Sequence, residues 1–191
     1  MTRTLLAARD RIVEAAATVW AADPSATLDV VAQRAGVGRA TLHRHFPSRA
    51  ALIRTAALEG IAALAAALDA ATLGQRKPAE ALAALINILV PFGDRLHFLL
   101  VTGELIDDPD LAAAEAEVNA SIRQLLDVAA AAGVLRNDLP ASWRFRALEA
   151  LLYAAWTAVA AGEIARLEAP ELVRDTFRRG FGTTPASPAA P

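Results

Sequence analysis

Residues 27–46 read Thr27-Leu-Asp-Val-Val-Ala-Gln-Arg-Ala-Gly-Val-Gly-Arg-Ala-Thr-Leu-His-Arg-His-Phe46, and this spacing predicts a helix-turn-helix. Three positions decide the reading. Ala32 is small where two short helices must cross at close range. Gly36, four residues on, suits the turn because it takes a positive φ without a Cβ penalty. Leu42, six further, is apolar where the second helix must pack back. Val31, Val37 and Phe46 complete a small core with Ile12 and Val19 upstream. Thr27 is expected to cap the first short helix, about 28–35, with Asp29 well placed in its positive first turn. The second, about 39–45, turns Arg39, Thr41, His43, Arg44 and His45 outward, and in a major groove the first residues of such a helix face base edges.

Working outward, the apolar period from Leu5 to Ala22 predicts a helix that Asp23-Pro24-Ser25 ends. Pro47-Ser48 punctuates the chain again before a long alanine-rich helix from Arg49 to about Ala71. Leu73 to Pro78 reads as a linker, and further helices are expected at about 79–90, 94–105, 110–132, 141–162 and 170–180. Residues 183–191 hold three prolines in nine positions and are expected to be disordered. Of the 191 residues 48 are alanine, the strongest helix former, and aromatic residues make up only 5%. The fold class is therefore all-α, with about nine helices. A helix-turn-helix head spans 1–48 and a regulatory and dimerisation body spans 49–182, of which 49–72 is the connecting helix.

Charge is divided along the same line. Residues 1–55 carry eight arginines against four acids, whereas the remainder is acidic and the whole chain sums to −2. A basic head on an acidic body points to a polyanion for the head. Arg49 adds to this, because a cation in the first turn of a helix faces the positive end of the dipole and a phosphate would reverse that sign.

Catalysis has no support in the residues. The chain has no cysteine, and His43 and His45 project about 200° apart on a helix, so they cannot share a metal. No H-E-x-x-H, G-x-S-x-G or P-loop occurs. No cofactor or metal is expected. The N-terminal residues are broken by Arg3, Arg9, Asp10 and Arg11, and apolar stretches such as 151–161 fall short of a bilayer span, so a cytoplasmic protein without a membrane partner is expected. The alternative to a DNA-binding regulator is a helical interaction module or effector-binding protein with no DNA role.

The run from Ala35 through Gly-Val-Gly-Arg-Ala-Thr-Leu-His-Arg-His-Phe-Pro-Ser-Arg-Ala-Ala to Leu52, after one helix and before a long fourth, resembles the signature of the TetR family of bacterial regulators. The resemblance covers about residues 9–55. It implies a homodimer, double-stranded DNA carrying a palindromic operator, repression, and a body with a pocket for a small-molecule effector. Arg39 and Thr41 are expected to supply most of the base readout with His43 and Arg44 assisting, Thr27, His45 and Arg49 to hold phosphates, and Gly38 to lie among the DNA-binding residues. The family usually has Tyr at position 43, Ser at 38 and Lys-Glu-Glu at 49–51. Loss of the acid at Ala51 removes the capping-box partner of Ser48 and is expected to soften that helix start.

In the body, the segment 143–162 is apolar on more than one face, which suggests burial against both its own core and a partner. Dimerisation is expected through about 141–162 and 170–180. Pockets are mainly apolar with a few convergent polar groups, so Phe92, His97, Phe98, Glu104, Trp143, Tyr153 and Trp156 are the candidate lining of an effector site.

Overall fold

A computed structural model of the chain describes residues 2–93, 96 and 108–183, with side chains from residue 8 onward. Among these residues there are eight α-helices: α1 (Thr2–Ala22), α2 (Leu28–Arg34), α3 (Arg39–His45), α4 (Arg49–Ala70), α5 (Pro78–Leu89), α6 (Pro109–Ala131), α7 (Ala141–Ala160) and α8 (Ala169–Phe181). Apart from residue 96, the helix expected over 94–105 lies outside the described residues, as do residues 184–191 of the expected tail. Thr183 is tied down, its hydroxyl donating to the Gly133 carbonyl at 2.7 Å.

Helix starts follow the local chemistry. Proline stands in the first turn of α5, α6 and α8, where its missing N–H costs nothing. Asp108 caps α6, accepting from the N–H groups of Asp110 and Leu111 at 3.1 and 3.0 Å. Ser48 accepts from Ala51 N at 3.1 Å, so half of the capping box persists without its acid. Leu73–Pro78 is more than a linker: Leu73–Gln75 forms a 3-10 turn whose Leu73 is buried in the body.

Two cores meet on α4. Leu52, Ile53 and Ala56 close the head against Ile12, Ala16, Trp20, Val31, Leu42 and Phe46. From Ala57 onward, Ile61, Leu64 and Leu68 belong to the body with α5 to α8. α4 is long and apolar enough, by length and composition alone, to cross a bilayer; its buried positions are taken up by these two cores. Full burial of one such Leu or Ile side chain stabilises by about 1.5–3 kcal/mol.

Candidate nucleic-acid interface and interior cavity

The turn between α2 and α3 is set by Gly36, whose φ of +65° closes α2. Its N–H donates to Gln33 O at 3.1 Å, and that of Val37 donates to Ala32 O at 3.0 Å. This pair of bonds is the Schellman arrangement, in which a left-handed residue satisfies the last carbonyls of a helix. Ala32 and Leu42 are buried at the crossing, as the spacing requires. Gly38 then leads into α3 with extended backbone.

On α3, Arg39, His43 and Arg44 face solvent, Arg39 with 72% of its side chain exposed. Thr41 and His45 lie four residues apart on the flank and are half-buried. His45 Nε2 is out of solvent with no hydrogen-bond partner, so this ring is turned toward the head rather than outward. Thr27 is the N-cap residue of α2 and is exposed, and its hydroxyl makes no capping bond. Asp29, one residue into α2, has Oδ1 3.3 Å from Arg39 Nε.

Arg49 differs from expectation. Its Nη1 donates to Ala26 O and its Nη2 to Pro24 O, both at 2.6 Å, and the guanidinium lies 4.4 Å from the centre of the Trp20 ring. Trp20 Nε1 donates to the same Ala26 carbonyl at 3.0 Å. The physical reason is the one that suggested a phosphate. A cation at a helix start needs a negative partner, and here two loop carbonyls supply it. Asp23 completes the loop by accepting from Ser25 N and Oγ, which hold its carboxyl below the usual range.

In the body, a cavity of about 510 Å³ lies between α4, α6 and α7. Its apolar wall includes Ile61, Leu64, Val118, Phe145, Leu148 and Leu152, with Tyr153 and Trp156 at one side. Trp156 is locked, donating from Nε1 to Val90 O at 2.9 Å. A Cβ on Gly93 would stand 2.0 Å from its ring, so only glycine fits there. Phe92 packs against the body core without lining the cavity, and Trp143 is exposed on the surface. His97, Phe98 and Glu104 lie outside the described residues. Sequence reasoning missed the charged wall made by Glu115, Arg146 and Glu149. Their wide spacing along α6 and α7 gives no local motif. Arg146 pairs with Glu149 at 3.2 Å; among the described residues Glu115 has no ion pair. Partial burial, with the charge of Glu149, pushes the Glu115 carboxyl up.

One strong link joins this body to the head. Arg54 of α4 donates from Nε to Asp108 at 2.6 Å and from Nη2 to Asp110. The Leu111 N–H, then Arg54, hold the Asp108 carboxyl below the usual range.

Residues 12–56, which span this head, match the family model described as bacterial regulatory proteins, tetR family. The head is thus a DNA-binding domain of the TetR type. It is 28% identical over 177 residues to the HTH-type transcriptional repressor LfrR of Mycolicibacterium smegmatis, covering 93% of this chain and 92% of that one. It is 34% identical over 97 residues to the HTH-type transcriptional regulator NfxB of Pseudomonas aeruginosa, about half of each chain (51% and 52%). The crystal structure of LfrR from Mycobacterium smegmatis in complex with proflavine superposes with a TM-score of 0.75 at 27% identity, over 96% of this chain and all of that one. The chain is thus a DNA-binding transcriptional regulator of all-α fold, not an enzyme. Regulators of the TetR family bind DNA and dimerise.

Proposed function

We propose that the chain is a homodimeric repressor of the cytoplasm that holds a palindromic operator and releases it when a small molecule fills the body cavity. The observation that carries the reading is the exposed Arg39–His43–Arg44 face of α3, held on a Schellman turn at the end of a basic head. Two such helices in one symmetric dimer enter successive major grooves about 34–36 Å apart. Arg39, with Gly38, Thr41, His43 and Arg44 around it, reads bases. Thr27 holds a phosphate, which positions without specifying. The exposed Ala150, Tyr153 and Ala154 on α7 and Leu172 on α8 form the dimer surface within about 141–162 and 170–180.

The effector is a flat aromatic cation. LfrR was solved with proflavine, and here the exposed Glu115, which has no ion pair among the described residues, stands at the edge of a cavity whose apolar wall carries Trp156 and Tyr153. A carboxylate whose charge is opposed by Glu149 and by partial burial gains a partner from a cationic ligand seated on the apolar wall. Release runs through α6. Its Glu115, Val118 and Ile122 line the cavity, and its first turn grips Arg54 on α4, beside Leu52 and Ile53 of the head core. A ligand that binds better to a shifted α6 thereby favours a head spacing that no longer fits the operator. Selection of binding sites from random duplex DNA tests the reading: a palindrome supports it, and recovery of unselected sequence overturns it.

A further inference from the structure

We propose that Asp29 is a specificity-determining residue: from the first turn of α2 it steadies Arg39 in the posture that reads a base. The inference rests on α3 being the base-reading helix. Asp29 Oδ1 approaches Arg39 at Nε, 3.3 Å away. Nε is on the stem side of the guanidinium. The contact therefore leaves Nη1 and Nη2 forward, and a pair of arginine donors is what spans O6 and N7 of guanine. Among the described residues, Arg39 has no other ion pair.

Two further facts fit this role. Both side chains are more than half exposed, and an exposed pair contributes little to folding; what Asp29 gains from the first turn of α2 needs no contact with Arg39, so stability does not account for the pairing. A long arginine free in solvent loses much rotamer freedom when it docks, and a fixed carboxylate on the neighbouring helix removes part of that loss beforehand. The cost is electrostatic. An acid on a face that meets phosphates weakens binding to every sequence alike. Asp29 therefore lowers general affinity while sharpening one base choice.

Binding-site selection and anisotropy with the parent, Arg39→Ala, Asp29→Asn and the double variant test this, with thermal midpoints measured alongside. The expected result is that Arg39→Ala and Asp29→Asn lose preference at the same base pair of each half-site. Asp29→Asn is expected to bind random duplex a few-fold more tightly, because one repulsive charge is gone. Its ratio of operator to random affinity falls about tenfold, the worth of one bidentate base contact, and the double variant is no less selective than Arg39→Ala. If Asp29→Asn keeps the parent's base preference, whatever its midpoint, or loses preference at a different base pair, the inference is overturned. If Arg39→Ala itself selects the parent sequence, the base-reading role of α3 fails, and the inference with it.

Discussion

Replacing Arg49 with methionine separates two roles that its position allows. Methionine keeps a flexible stem over Trp20 but removes the charge and both donors. The loss falls on two charge-assisted bonds of 2.6 Å, to Ala26 O and Pro24 O. Neither carbonyl is orphaned: Ala26 O retains the Trp20 Nε1 bond at 3.0 Å, and the exposed Pro24 is reached by water. Each bond is therefore worth about 1 kcal/mol net. The cation over the Trp20 ring adds about 0.5–1 kcal/mol, and relief at the helix dipole returns a few tenths. The sum is about 2 kcal/mol, or a fall of about 4–8 °C in thermal midpoint for a chain of this size.

The decisive assay is the salt dependence of operator affinity. Arg49 bound to loop carbonyls releases no counterion, so Arg49→Met is expected to bind more weakly at every salt concentration with the parent's log–log slope. A phosphate-bound Arg49 would contribute about 0.9 to that slope per chain. A slope reduced by about that amount, with an unchanged midpoint, would refute the inward role.

Three other outcomes follow from the same geometry. Gly36→Ala places a Cβ in open space but at a φ of +65°, so strain alone is expected to cost about 1–2 kcal/mol in denaturant unfolding. Glu115→Gln is expected to weaken proflavine binding about tenfold, as loss of one charge partner in a partly apolar site; in the parent, affinity falls as pH drops through the raised Glu115 pKa, and the variant shows no such step by fluorescence titration. Asp108→Asn keeps a capping side chain but loses the charge that holds Arg54. The effector-induced change in operator Kd, several-fold or more in a coupled protein, is expected to shrink toward none. Because Asp108 titrates below the usual carboxylate range, the parent's coupling is complete above that range and is lost as pH falls through the lowered value.

The head was legible because its constraints are local. Ala32, Gly36 and Leu42 each answer a steric demand within one short segment, and the observed φ and burial meet it. Helix boundaries were legible for the same reason, since Pro78, Pro109 and Asp108 act within one turn. What stayed hidden depends on distant partners. Arg49 was readable as a cation needing a negative partner, but the partner proved to be a loop 23–25 residues earlier. Trp143 and Tyr153 look alike as scarce aromatics on α7. Only the packing of α7 against α6 and α8 sets Tyr153 at the cavity and leaves Trp143 on the surface. Glu115 carries no sequence signal at all, because its significance lies in the apolar wall around it.

The central claim is that α3 enters the major groove twice over from one dimer. Dimethyl sulfate probing of guanine N7 on a selected duplex measures that directly, because N7 lies in the major groove. The account predicts protected guanines in two patches on one face of the DNA, about 10 base pairs apart and related by a twofold axis, with protection lost in Arg39→Ala. A single patch, or unprotected N7 positions under a bound protein, would contradict it.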